Sequence, residues 1–203
     1  MDERLRRYWD QHASAYDREM DFFERVLFGD GRQWACAQAS GRVLEVAIGT
    51  GRNLEFYPPK VRITGLEFSP AMLAIARERA RQLGRQVQLL LGDAQALEFA
   101  DGSFDTVVCT LSLCSIADER RSLAEMQRVL RPGGRLVLLD HVAGEPSWVR
   151  ALQWFLERVA ASASGGDHFL RRPITLLPSL GLEVEFSPRA KLGIVERVTA
   201  RKV

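Results

Sequence analysis

Five short runs of β-branched and other apolar residues, at 43–47, 61–66, 87–91, 104–109 and 136–139, recur along the chain from residue 42 onward. Helix signals stand between them. Ser69 and Pro70 read as N-cap and first helical residue, and Leu73, Ala76, Ala80 and Leu83 mark one helical face before Gly84 stops it. Asp118 can cap a later helix whose buried stripe is Leu123, Met126, Val129 and Leu130, with Pro132-Gly133-Gly134 as the turn after it. Strands joined through helices pair in parallel, so this alternation predicts an α/β fold with a sheet covered on both faces. Two late runs, at 182–186 and 194–200, have no helix-length segment between them and should pair antiparallel. The expectation is a seven-stranded, mostly parallel sheet with an antiparallel C-terminal strand.

The 203 residues suit one domain, in three parts: a helical cap over 1–40 broken at Gly29-Asp30-Gly31, a core over 41–141, and a segment over 142–203. That last segment holds an apolar helix at 148–159 and a small polar loop at 162–168. Both flanking parts can close over a pocket at the strand ends. A formal net charge of +2 argues against a nucleic-acid partner, which needs a basic surface to displace counterions. Cys36, Cys109 and Cys114 form no CxxC pair and no even set, which points to a reducing compartment. The charged start Met1-Asp2-Glu3-Arg4 leads into no apolar h-region, and no run of eighteen apolar residues occurs. The expected location is cytoplasmic.

The chemistry concentrates after the first strand. Glu45-Val46-Ala47-Ile48-Gly49-Thr50-Gly51 precedes a helix-compatible stretch, and its glycines permit positive φ and close backbone approach by a ligand. Glu67 follows Glu45 by twenty-two residues, at the end of the second strand, where a carboxylate can accept from both ribose hydroxyls. A nicotinamide cofactor would want a third glycine so that a helix end faces its pyrophosphate, and Leu54 stands there. Ala47 occupies the first glycine position; its methyl is small, and with a negative φ there the turn survives, so cofactor binding is expected to be retained.

In these motifs the chain resembles the class I S-adenosylmethionine-dependent methyltransferases, in the group that includes ubiquinone and menaquinone C-methyltransferases. Tyr16-Asp17, the run from Glu45 to Gly51, the run from Gly65 to Leu73, Gly92-Asp93-Ala94, Phe104-Asp105 and the run from Arg128 to Gly134 match its motifs in order. The stretches Asn53 to Pro59, Cys109 to Ser115 and Leu139 to Ala143 are similar to membrane-associated alkyl thiol methyltransferases and, more loosely, to bacterial phosphatidylethanolamine N-methyltransferases.

The resemblance implies a Rossmann-like fold and S-adenosylmethionine as cofactor, with S-adenosylhomocysteine as product. It implies cofactor contacts from Tyr16, Glu45, Ala47, Gly49, Thr50, Gly51, Asn53, Glu67, Phe68, Met72, Gly92, Asp93, Ala94, Thr110 and Leu111. Glu67 would take the ribose hydroxyls and Asp93 the adenine amino group. The reaction implied is an in-line displacement at the sulfonium methyl, onto a small-molecule or lipid acceptor with a thiol or amine nucleophile; a quinone ring is the alternative. His141, at the end of the fifth strand, is the candidate base, and Cys114 reads as pocket wall. His12, His141 and His168 are scattered without paired-ligand spacing, so no metal is expected. Outside this class stand a nicotinamide-dependent oxidoreductase and a non-catalytic cofactor-binding module. The apolar excess at 148–159 points to an apolar acceptor or to peripheral contact with a membrane.

Overall fold

The computed structural model describes residues 3–160 and 168–203. The N-terminal part is helical: α1 (Glu3–Phe23) runs into a π-helical turn (Glu24–Phe28), and α2 (Gly31–Ala37) follows a break at Gly29 and Asp30. The core then alternates β1 (Arg42–Val46), β2 (Arg62–Glu67), α3 (Pro70–Gln82), β3 (Val87–Leu91), β4 (Phe104–Thr110), α4 (Glu119–Val129) and β5 (Leu130–His141). After it come α5 (Ser147–Ala160), β6 (Leu182–Phe186), the two-residue β7 (Arg189–Ala190) and β8 (Val195–Lys202).

The strands lie in the order β3-β2-β1-β4-β5-β8-β6, with β7 beside β8. β1 to β5 pair in parallel, and β8 runs antiparallel to both β5 and β6. This is the expected sheet, with the short β7 as an added strand. Alternation along each strand feeds two cores. Leu44, Val46, Val107, Leu136 and Leu138 pack with Leu123, Met126 and Val129 of α4 on one face. Val43, Val108 and Val137 pack with Ala35 and Cys36 of α2 and Leu73 of α3 on the other. The helix signals act as expected at both starts: the Ser69 hydroxyl accepts from Met72 N, and the Asp118 carboxylate accepts from Arg121 N.

Two local expectations differ from the structure. No helix follows the Gly-rich turn, and residues 50–56 form successive turns. Pro58 and Pro59 end that stretch, and a residue before proline is pushed out of the helical region. Pro132-Gly133-Gly134 is not a separate turn but part of the long β5, where the register against β4 slips between Phe104 and Thr106. Gly133 absorbs the extra residues with a φ of 71°. The expected loop at 162–168 falls, except for His168, outside the described residues.

Candidate active site

Parallel strands deliver their carboxyl ends to one edge, and ligands bind there. In this chain a cavity of about 770 Å³, counting its open mouth, lies over the ends of β1 to β4. Ala47 and Gly49 come from the turn after β1, Glu67 and Phe68 from the end of β2, Met72 from α3, and Gly92, Asp93 and Ala94 from the turn after β3. Leu111 comes from the turn after β4, and Tyr16 reaches in from α1. Ten of the implied cofactor residues therefore share one cavity. Glu45, Thr50, Gly51, Asn53 and Thr110 stand behind its lining, all buried.

The condition that would leave the turn after β1 unstrained is not met. Ala47 has a φ of 55°, in the left-handed region. Its neighbours impose this: Ile48 N donates to Leu66 O at 3.0 Å, and Gly49 N donates to Glu67 Oε2 at 2.9 Å. A non-glycine residue held so costs about 1–2 kcal/mol. Leu111, across the cavity, has the same strained conformation with a φ of 54°. Gly51 is needed for packing as well as for its φ of 80°, because a Cβ there would lie 3.3 Å from Ala76 of α3.

The Glu67 carboxylate has a second anchor, accepting from Ser69 N at 3.0 Å through Oε1. Burial raises its pKa despite these backbone donors. Asp93 accepts from the backbone and side-chain nitrogens of Gln95 at 2.9 and 3.0 Å. Among the described residues no lysine, arginine or histidine lines the cavity. The Tyr16 phenol is pushed up to about 12 by burial, so it stays neutral at its wall.

Behind the cavity is a buried polar network that sequence reasoning missed. Asn53 donates to Glu45 Oε1 at 2.8 Å and to Thr110 Oγ1 at 2.9 Å. Arg32 Nη1 donates to Asn53 Oδ1 at 3.0 Å and to Thr110 Oγ1 at 3.3 Å. Burial pushes the Glu45 carboxyl up to about 7, although the Arg32 guanidinium and the Asn53 amide oppose it. Nothing in the sequence marks Arg32, an arginine among twenty-eight basic residues. The cap is tied to this network along one side of α1. Asp10 accepts from Ser69 Oγ at 2.6 Å, Asp17 from Thr50 Oγ1 at 2.6 Å, and Asp21 from Arg52 at 2.6 Å. Leu5 and Trp9 of the same helix also line the cavity and carried no motif.

His141 does not line the cavity. Its ring is half-buried and packs against Phe169 at 5.2 Å, and its Nδ1 is buried with no hydrogen-bond partner among the described residues. Strand alternation puts it on the same sheet face as Leu139, which packs with Phe28. Asp140 accepts from Ser112 N, Cys114 N and His141 N at 3.1, 3.3 and 2.8 Å, which ties the turn after β4 to the end of β5. Ligand atoms of Cys114, Asp140 and His141 lie within 4.8 Å of one another, a grouping that could hold a metal ion and that sequence spacing does not show.

Residues 44–138 match the family model described as a methyltransferase domain. The chain is 36% identical over 156 residues to a phosphatidylethanolamine N-methyltransferase of Cereibacter sphaeroides, covering 76% of each chain. It is 39% identical to a human thiol S-methyltransferase over 65% of this chain and 55% of the relative. It is 40% identical to a demethylmenaquinone methyltransferase of Thermus thermophilus over 59% of this chain and 60% of the relative. For these last two, the matched region spans little more than half of the relative's length. The fold superposes on an S-adenosylmethionine-dependent methyltransferase of Thermotoga maritima with a TM-score of 0.72 at 22% identity, covering 96% of this chain and 98% of the other. The ordered motifs, the cavity they build at the strand ends and the extent of these matches lead to one family: the chain belongs to the class I S-adenosylmethionine-dependent methyltransferases.

Proposed function

We propose that the cavity over β1 to β4 holds S-adenosylmethionine and that the chain directs its methyl group to a thiol or amine of an apolar small molecule or lipid. One observation carries this reading: Glu67 and Asp93 converge on a cavity that no basic side chain among the described residues lines. Such a site suits a ligand with hydroxyl and amino donors and no phosphate. The missing helix after Gly51 supports the same choice, because a pyrophosphate is ordinarily met by a helix N-terminus. Calorimetry with S-adenosylhomocysteine and with NAD tests it. Binding of the first alone is expected, and binding of NAD alone would overturn the reading.

Bound there, the cofactor supplies a methyl group on a positively charged sulfur. Glu67 takes the ribose hydroxyls, Asp93 the adenine amino group with Ala94 at the ring edge, and Met72 packs on the adenine. Glu45, Ala47, Gly49, Thr50, Gly51 and Asn53 shape the methionine end, with Thr110 and Leu111 near the sulfonium. Phe68 and Gly92 complete the wall. The cap over 1–40 excludes water through Leu5, Trp9 and Tyr16, and the segment over 142–203, which follows the carboxyl end of β5, forms the acceptor side. His141 accepts the acceptor's proton, and holding the reactants together supplies much of the rate.

The acceptor side favours an apolar partner. On α5, Val149 and Gln153 are buried, while Trp148, Phe155 and Val159 are 61%, 56% and 61% exposed, and Leu152, Trp154 and Leu156 are exposed beside them. The helix leaves the carboxyl end of β5, the edge that carries the cavity. None of the described helices is long and apolar enough to cross a membrane, so the contact proposed is peripheral. Flotation with phosphatidylcholine vesicles should carry the protein upward, and Trp148→Ser with Phe155→Ser should abolish this. A wild type that stays at the bottom would overturn the membrane contact. Cys36, Cys109 and Cys114 are buried and form no disulfide, which fits the cytoplasmic location proposed for the chain.

A further inference from the structure

The amino half of β1, β2 and β3 carries a second groove, far from the cofactor cavity. α4 covers the face of the sheet that holds Leu44, Leu66 and Val107. The link from β3 to β4 runs through turns rather than a helix, so among the described residues no helix covers that face lower down on β2 and β3. The groove left there measures about 1460 Å³, counting its open mouth. Arg42, Lys60, Arg62 and Arg85 line it together with the amides of Gln86 and Gln88, and no carboxylate among the described residues does.

These charges are poorly compensated within the chain. Arg42 and Arg62 are register partners on adjacent parallel strands, so their side chains leave the same face side by side. Like charges so placed destabilise the pairing. Arg42 has a carboxylate, Asp105, at 3.7 Å, and Arg85 donates to the carbonyl oxygens of Tyr57 and Pro58. Lys60 and Arg62 have no ion pair and no side-chain hydrogen bond among the described residues.

We propose that this groove binds a soluble ligand carrying two or more linked phosphate groups, at a site separate from the cofactor cavity. Guanidinium forks match phosphate oxygens in pairs, and a lysine adds a mobile point charge. β2 has Arg62 at the groove and Glu67 at the cavity, roughly 16 Å apart at strand spacing, so the two ligands do not compete. The groove also lies at the opposite edge of the sheet from the start of α5. A molecule resting on a bilayer through α5 turns the groove away from lipid headgroups, which favours a soluble ligand.

Calorimetric titration of inorganic triphosphate into the full chain, at low and at physiological salt, tests this beside K60E/R62E and the milder K60Q/R62Q. The wild type should show one saturable site that weakens with salt. The charge-reversed variant should bind about tenfold more weakly or worse, K60Q/R62Q should fall between, and S-adenosylhomocysteine affinity should stay within about twofold in all three. K60Q/R62Q decides the matter if charge reversal impairs folding. Triphosphate binding that is absent, or unchanged in K60Q/R62Q, overturns the proposal. So does retention on anionic phospholipid vesicles through these residues without triphosphate binding, or tighter, many-site binding of a duplex oligonucleotide.

Discussion

Arg32 and Glu24 meet in a two-point ion pair, with Nε 2.8 Å from one carboxylate oxygen and Nη2 2.6 Å from the other. The same guanidinium reaches Asn53 and Thr110, so one buried side chain joins the π-helical turn, the Gly-rich segment and the end of β4. Glu24 also lies 3.1 Å from Arg52, which in turn reaches Asp21 of α1. Removing one partner of a buried pair costs about 3–5 kcal/mol, and because Arg52 still faces Glu24 the lower end applies here. Arg32→Ala should therefore lower the urea midpoint strongly. Arg32→Met combined with Glu24→Leu should recover part of the loss, because the desolvation of both charges disappears. Chemical denaturation of the three proteins checks this, and equal midpoints for wild type and Arg32→Ala would show that the pair contributes little.

Glu67 holds the turn after β1 as well as facing the cavity, since Gly49 N and Ser69 N both donate to it. Glu67→Ala should weaken S-adenosylhomocysteine binding by roughly 1.5–3 kcal/mol, the range for a hydrogen bond to a charged group. Glu67→Asp should lose less. Calorimetry reads both, and wild-type affinity in Glu67→Ala would remove this residue from the ribose site.

Glu45 gives the protein a defined pH response. Its folded pKa of about 7 lies above the ordinary value of 4.5. Between these values the folded state keeps a proton that the unfolded state has released, so this group's contribution to stability falls as pH rises from 4.5 to 7. The full loss is roughly 3 kcal/mol at most. Burial raises Glu67, Glu119 and Glu196 in the same direction, whereas Arg42 and Arg131 hold Asp105 low and act oppositely. The clean readout is the difference between wild type and Glu45→Gln. Denaturation midpoints at several pH values should show the variant gaining on the wild type as pH rises. A constant difference across the range would contradict the assignment.

His141→Ala should lower turnover on a verified thiol or amine acceptor while leaving S-adenosylhomocysteine affinity within about threefold, because the ring stands outside the cavity lining. General-base assistance is worth about 10²–10⁴, and a thiol should sit at the low end since some thiolate already forms near neutral pH. Raising the pH should rescue a thiol reaction in part. Full turnover at pH 7 in the variant would reduce His141 to a packing residue against Phe169.

Local pattern was enough for the parallel core. The apolar runs and the Ser69 and Asp118 caps are short-range features, and periodicity with cap chemistry encodes them directly. The sequence by itself therefore determined the strand-helix alternation and which turns reach the cavity edge. Tertiary structure decided the rest. Ala47 takes a positive φ because Leu66 and Glu67 on the neighbouring strand fix the amides that follow it. Arg32 and Asn53 are twenty-one residues apart, and Cys114 and Asp140 are twenty-six apart, and each pair meets only once the sheet and its turns are assembled. The apolar excess of α5 was legible in the sequence, but which of its residues face outward was not, because the same residues would serve a core helix. Whether they are covered depends on what packs over them, and that is a property of the assembled layers rather than of any stretch of chain.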